Sequence, residues 1–316
     1  MKILIAYDGS ECAEAALEDL KNAGLPQTAE VKVLSLADVF LPPVNEDIDN
    51  TFPLYMPGSV QRAQELGVHK LKIAATLAKG VSKQIAREFP GWNVTHEALA
   101  DSPAWAIIRT AEQWKSDLIV VGAQGHTVMG GRLILGSVSQ RVLYEASCSV
   151  RIARSQQRSE GSPLRLLIGV DNSSYSKAAV AAMSQREWAK GTQVRLLAVV
   201  DTVMAIAPDA SQPQAMKWIE VDDEENWEQV RLIFRPLADK LQAAGLDAAV
   251  MIRRGNPTKE LLDEAETWGA HCIFLGPKGT RGIDRLLLGS VSSAVAARAH
   301  CSVEVVRASA FRKGEE

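Results

Sequence analysis

The sequence predicts an α/β protein made of two doubly wound domains, each a five-stranded parallel sheet with helices on both faces. Three observations lead there. The chain repeats itself once over nearly its whole length, helical and strand patterns alternate within each half, and the strand segments are short β-branched and aliphatic runs. Strands of that kind alternating with helices imply a parallel sheet covered on both sides.

The elements follow in order. Lys2 to Tyr7 is an aliphatic run fit for a first strand. Ser10 is placed to cap a helix in which Ala13, Ala16, Leu17 and Leu20 recur at i, i+3, i+4 and i+7. Strands are expected near 31–37, 92–98, 117–122 and 149–153, with helices near 60–88, 103–115 and 137–146. The second half places strands near 165–170, 194–200, 247–253, 271–276 and 302–306.

The repeat fixes the domain organisation. Lys2-Ile-Leu-Ile-Ala-Tyr-Asp8 returns as Arg165-Leu-Leu-Ile-Gly-Val-Asp171, and Val31 to Asp38 returns as Val194 to Asp201, both offset by 163. Trp114 to Gly122 returns as Trp268 to Gly276, offset by 154, and Gly136-Ser-Val-Ser139 as Gly289-Ser-Val-Ser292, offset by 153. The offsets change only where loops absorb them. The expected division is 1–154, a Ser-, Gln- and Gly-rich linker at 155–163, and 164–316.

Composition narrows the class. The 316 residues are 47% hydrophobic and 23% charged, which excludes disorder and low-complexity sequence. The balance of 35 basic and 38 acidic residues includes no dense basic stretch, which argues against nucleic acid as a partner. The longest apolar runs, such as Leu118 to Ala123, fall far short of the roughly 20 residues of a membrane helix. Met1 to Ile5 reaches Asp8 too soon for a secretory signal. Four cysteines with no C-x-x-C spacing fit a reducing cytoplasm.

In an open α/β sheet, ligands bind beyond the carboxyl ends of the strands, where strand order reverses. Each half has two features at such an end: the aspartate closing the first strand, Asp8 or Asp171, and a glycine loop after the fourth. The second loop runs Gly276-Pro-Lys-Gly279, nine residues, then Gly289-Ser290-Val291-Ser292. Glycines let backbone approach an anion, and the N–H groups of a helix N-terminus favour phosphate. Ser290 and Ser292 are either hydroxyl donors or caps. Taken alone, such turns are mostly structural.

The spacing G-x2-G-x9-G-[S/T] behind an aspartate-ended strand resembles the universal stress protein family in its ATP-binding branch. Tyr7-Asp8-Gly9-Ser10, Val170-Asp171, Ala146-Ser-Cys-Ser-Val150 and Ala299-His-Cys-Ser-Val303 extend the resemblance over both halves. It implies strand order 3-2-1-4-5 and a tandem stress-response protein binding an adenine nucleotide, ATP first, with or without magnesium. Asp171 would meet the ribose or phosphates, Val199 the adenine, and Leu275 and Gly276 the base and ribose. Gly279, Gly289, Ser290, Val291 and Ser292 would hold phosphates. In the first half the matching positions are Asp8, Leu36, Gly122, Gly125, Gly136, Ser137 and Ser139. The family also implies that the two fifth strands, Val150 to Ala153 and Val303 to Val306, pair inside one chain as a pseudo-dimer. The sequence leaves further dimerisation and protein partners open.

Both halves depart from the pattern. Ten residues separate Gly125 from Gly136, with an extra Gly130-Gly131 step, and one residue can shift backbone by up to ~3.5 Å. In the second half Asn172 stands where the first has Gly9, and Asn tolerates the left-handed region. Pro277 removes one N–H donor. Lys278 is either a phosphate counter-charge or, by default, a solvated loop lysine.

Other chemistries lack their motifs. There is no G-x-G-x-x-G after the first strand, no P-loop, no H-x-G-H and no H-E-x-x-H. The His271-Cys272 and His300-Cys301 steps invite a metal reading, but strand positions favour buried packing. No catalytic set can be assembled, so nucleotide would act as regulator rather than fuel, with slow turnover compatible. The acidic run Glu220 to Glu228 reads as a helix start, and core packing is the default for all seven tryptophans. The segment Asp38 to Gln61, with Pro42, Pro43, Pro53 and Pro57, is either a lid or an ordered surface loop, the latter being the default. The competing class is a scaffold protein in which both nucleotide sites have lapsed.

Overall fold

The computed structural model describes residues 1–39, 58–124, 135–155, 161–200, 203–206, 217–220, 224–278 and 288–307. For 58–61, 203–206, 217–220 and 224–226 only the backbone is described. The first half contains β1 (Lys2–Ala6), α1 (Glu11–Asp19), β2 (Ala29–Ala37), α2 (Gly58–Glu88) and β3 (Trp92–Ala100). It continues with α3 (Pro103–Trp114), β4 (Leu118–Gly122), α4 (Ser137–Glu145) and β5 (Ser149–Ala153). The second half opens with β6 (Arg165–Val170), α5 (Ser174–Ser184) and β7 (Gln193–Val200). A hairpin of β8 (Val203–Ile206) and β9 (Lys217–Glu220) precedes α6 (Glu224–Ala243) and β10 (Asp247–Arg254). The half closes with α7 (Pro257–Trp268), β11 (Cys272–Leu275), α8 (Ser290–Arg298) and β12 (Ser302–Val305).

Ten of these strands form one sheet, ordered β10-β7-β6-β11-β12-β5-β4-β1-β2-β3. Counted inward from either edge, that is third, second, first, fourth, fifth. Neighbours within each half are parallel. Within this sheet, among the described residues, only β5 and β12 run antiparallel. The carboxyl ends of the two sets of strands therefore point in opposite directions along the strand axis, and so do the crevices beyond them.

Local rules explain the elements. Ser10 accepts a hydrogen bond from the Ala13 N–H at 3.2 Å and caps α1, and Ala13, Ala16, Leu17 and Leu20 are all buried. Helix α3 stops on left-handed Lys115 and its repeat α7 on left-handed Gly269. One face of the sheet carries a continuous apolar core under α3, α4, α7 and α8, crossing from half to half. The opposite face carries two separate cores, one under α1 and α2 and one under α5 and α6.

Two arginines clasp the halves together. Arg154, just past β5, donates to the carbonyls of Ala296 (2.6 Å) and Cys301 (3.4 Å) at the C-terminal end of α8. Arg307, just past β12, donates in the same way to Leu143 (2.5 Å) and Cys148 (3.3 Å) behind α4. Each arginine thus satisfies the orphan carbonyls of the other half's helix, where the dipole favours a cation. Burial draws the Arg307 guanidinium down to about 10, still far above neutrality, so it stays charged.

Three features depart from the sequence pattern. The second half adds the β8–β9 hairpin, which the alternating pattern does not predict, and Glu220 ends β9 instead of opening a helix, which starts at Glu224. Trp105 is not a core residue: it is 46% exposed and lies under the Arg141 guanidinium, 4.3 Å from its ring centroid. Trp92 is buried and donates its indole N–H to the Pro26 carbonyl, as a core tryptophan does. Residues 40–57 of the proline-rich segment lie outside the described residues.

Candidate functional site

Asp8 and Asp171 leave the first strand of each half and turn straight into a helix cap. Asp8 Oδ1 accepts from the Ser10 N–H at 3.0 Å. Asp171 Oδ1 accepts from the Ser173 N–H at 3.2 Å and from its hydroxyl at 2.6 Å. Ser173 then caps α5 by accepting from the Ser176 N–H at 3.1 Å. The residue between is left-handed in both halves, Gly9 at φ 79° and Asn172 at φ 61°. The asparagine supports the turn that glycine makes in the first half.

Gly122 and Gly276, at the end of the fourth strands, approach protein backbone. A Cβ on Gly122 would lie 2.6 Å from the Cys12 carbonyl oxygen in α1, and one on Gly276 would lie 2.7 Å from Tyr175 Cβ in α5. Their first role is to let the strand end press against the first helix. Gly125 and Gly279 lie outside the described residues.

The helices beyond the loops are anchored alike. Gly136 donates its N–H to the Ala123 carbonyl at 2.8 Å, and Gly289 to that of Pro277 at 2.7 Å. The Ser139 hydroxyl donates to the Gly122 carbonyl at 2.6 Å, and the Ser292 hydroxyl to that of Gly276 at 2.7 Å. Both ends of the loop match between halves, and residues 125–134 of the longer first loop lie outside the described residues. These bonds also change the donor inventory. The N–H groups of Gly136 and Gly289 and the hydroxyls of Ser139 and Ser292 already have acceptors inside the protein. Among the described residues, the groups left for an anion are the first-turn N–H groups of α4, at Ser137, Val138 and Ser139, and of α8, at Ser290, Val291 and Ser292. Ser137 and Ser290 are exposed.

Pro277 costs less than its lost donor suggests. Ala123, its repeat, directs its N–H to the Ala153 carbonyl at 3.1 Å, so the proline forfeits a sheet bond and no ligand donor. Lys278 is not a solvated loop lysine: it is 7% exposed, where the first half has Gln124. Leu275 is buried, and its side chain lies over Gly169, where a Cβ would come within 2.6 Å of Cδ2. The first half has Ala6 and Val121 at these positions, so a larger side chain on one strand is matched by a smaller one on its neighbour. Leu36 and Val199, late in the second strands, are half-buried, with Leu99 and Arg253 as their register partners in the third.

Cys272 and Cys301 are buried packing residues. Burial pushes the Cys301 thiol up to about 12 and raises Cys272 further. The His271 ring accepts the Arg165 N–H at 3.1 Å. Among the described residues no group of His, Cys, Asp and Glu is arranged to hold a metal, and no helix is long and apolar enough to cross a membrane.

A doubly wound half with an aspartate and an anchored helix N-terminus at its switch point defines a class of ligand-binding α/β domain. The model of the universal stress protein family matches residues 1–154 and again 164–307. This chain belongs to the universal stress protein family. It is 27% identical over 317 residues to a universal stress protein of Mycobacterium tuberculosis, covering 97% of this chain and 96% of that one. One from Mycolicibacterium smegmatis is 30% identical over 231 residues, covering 70% of this chain and 71% of the relative. A solved universal stress protein from Archaeoglobus fulgidus shares the fold at TM-score 0.59 and 21% identity, covering 97% of this chain and 98% of that one.

Proposed function

We propose that this stress-response protein binds an adenine nucleotide, ATP first among them, as a regulatory ligand, and that the second half is the stronger site. One observation carries the reading: α8 starts where β11 ends, tied there by Ser292, so its first-turn N–H groups open onto the same crevice edge as Asp171. In this reading those groups and Lys278 hold phosphates, with or without magnesium, Asp171 meets the ribose, and Val199 and the Leu275–Gly276 backbone border the base. The first half offers Asp8, Leu36, Gly122, Gly136, Ser137 and Ser139 in matching places, with Gln124 for the lysine. Gly125 and Gly279 complete the two sets on the sequence pattern alone. We take the domains as 1–154 and 164–316 joined through 155–163, and the protein as cytoplasmic.

Calorimetric titration with ATP tests this on wild type, Ser290→Glu and Ser137→Glu. A glutamate in the first turn favours the helix dipole yet repels phosphate. Ser290→Glu should weaken ATP binding at least tenfold and Ser137→Glu should weaken it less. A wild type that binds no nucleotide would leave the scaffold reading in its place, and a loss confined to Ser137→Glu would reverse the ranking of the halves.

A further inference from the structure

The seam between the halves contains one position at which the two copies of the repeat carry opposite charge. β5 and β12 pair antiparallel with Val150 opposite Val305, Arg151 opposite Glu304, and Ile152 opposite Val303. Arg151 and Glu304 are each other's counterparts in the repeat, offset by the same 153 residues as the glycine loops. The local pseudo-twofold axis therefore passes through this pair. Around it the two copies agree. Ser149 and Ser302 match, as do Val150 and Val303, and Arg154 and Arg307 make the mirrored clasp.

The axial pair is fully buried, both side chains at 0% exposure, with Arg151 Nη1 3.1 Å from Glu304 Oε2. Each charge is also held from within its own half. Asp19, at the end of α1, accepts from Arg151 Nε at 2.6 Å and Nη2 at 3.0 Å, and from the Ser302 hydroxyl at 2.8 Å. Arg186, just past α5, donates to Glu304 through both terminal nitrogens, one at 2.9 Å, and to the Ala23 carbonyl at 2.9 Å. Asp19 and Arg186 have no charged counterparts in the repeat, where Ala182 and Ala23 stand. Burial opposes the charge on Arg151, but Asp19, the Cys272 sulfur and Glu304 outweigh it and hold the guanidinium above its ordinary value. Burial likewise opposes the charge on Glu304, and Arg186 and Arg151 outweigh it. The result is a buried row of alternating sign, Asp19, Arg151, Glu304, Arg186, filling the gap between the two apolar cores on that face.

In a twofold interface a residue on the axis meets its own copy. Two first halves joined through β5 would set Arg151 against Arg151, and two second halves joined through β12 would set Glu304 against Glu304, in a place sealed from water. Buried like charges are costly, and a wrong partner is rejected by such a contact more than the right one is rewarded. We infer that the Arg151–Glu304 pair is a recognition code that makes the two halves partners of each other and bars fifth-strand pairing between like halves. The partner that fits the β5 surface is a universal stress domain with a carboxylate at the axis. On this chain the second half is that partner, brought there by a short connection that keeps its local concentration high.

Charge reversal in the full chain tests the code. Arg151→Glu gives a chain with two glutamates on the axis, and Glu304→Arg one with two arginines. Each alone should lose internal closure, shown by a lower urea midpoint and protection lost from β5 and β12 in hydrogen exchange. Co-expressed with one of them tagged, the two should co-purify as a one-to-one complex, while co-expressed tagged and untagged wild type should not. A third variant, Arg151→Met with Glu304→Met, keeps the seam filled with apolar volume and removes the code. Refolded at high concentration, it should add a species of twice the chain mass that refolded wild type does not form. Failure of the reversed pair to associate, wild-type midpoints for both single variants, or an unchanged mass for the methionine variant would each overturn the inference.

Discussion

The close approach at Gly122 gives the sharpest test of how the strand end is built. Replacing it with alanine places a methyl 2.6 Å from the Cys12 carbonyl oxygen, 2.7 Å from the Cys12 carbonyl carbon and 3.1 Å from the Ala13 nitrogen. Ordinary carbon–oxygen contacts begin near ~3.3 Å, so the groups must part by about 0.7 Å. All three atoms are backbone in the first turn of α1, and no side chain can rotate to give room. The whole helix must lift from the strand end, or β4 must sink away from it and strain the Ser139 bond to the Gly122 carbonyl. Overpacking of this kind costs about 1–3 kcal/mol, and the rigidity of the neighbours puts Gly122→Ala toward the upper end. Gly80→Ala is the matched control: it lies within α2 with nothing inside 4 Å of its added Cβ. There the gain in helix propensity should stabilise by about 0.5–1 kcal/mol. Equilibrium unfolding in urea, followed by far-ultraviolet circular dichroism, reads both. A Gly122→Ala midpoint equal to wild type would refute the reasoning.

Three further outcomes follow from the seam and the buried thiols. Arg307→Ala removes two charged hydrogen bonds to the carbonyls behind α4 and should cost roughly 1.5–3 kcal/mol in urea unfolding. Glu304 has its pKa lowered in the fold, so its contribution is complete above the unfolded carboxylate value of 4.5 and is lost as pH falls through the folded value. Urea midpoints should hold from neutrality to about 4.5 and then fall, and Glu304→Gln should start lower and show a shallower acid limb. A thiol reagent at neutral pH should label half-buried Cys12 first and reach Cys148, Cys272 and Cys301 only after denaturant is added, as mass spectrometry would show.

Much of the fold was legible because its signals are local. The Ser10 cap, the alanine–leucine stripe of α1 and the aliphatic strands are written within a few residues, and the repeat doubled each of them. The seam was legible only as apolar fifth strands. Its charged axis depends on Asp19, Arg151, Arg186 and Glu304, which lie far apart in the chain and meet only once the strands are in register. Aligning Arg151 with Glu304 at the 153-residue offset is the one signal that finds it from sequence. The members of the candidate site are legible as a sequence pattern, and their local bonding is not. The sequence shows glycines and serines, and it cannot show that Gly122 and Gly276 face a helix backbone or that Ser139 and Ser292 have carbonyl acceptors. The β8–β9 hairpin escaped because its second strand leads into an acidic run that reads equally well as the start of a helix.

The two clasping arginines have a mechanical meaning. α8 is fastened to its own half at the N-terminal end, through Ser292 and Gly276, and to the first half at the other, through Arg154. α4 is its mirror, fastened through Ser139 and Arg307. The two helices act as antiparallel struts, each running between opposite ends of the central strands. A strut cannot slide along its axis without stretching a bond to the neighbouring half or dragging that half's central strand with it. Load applied at either crevice is therefore borne by both halves.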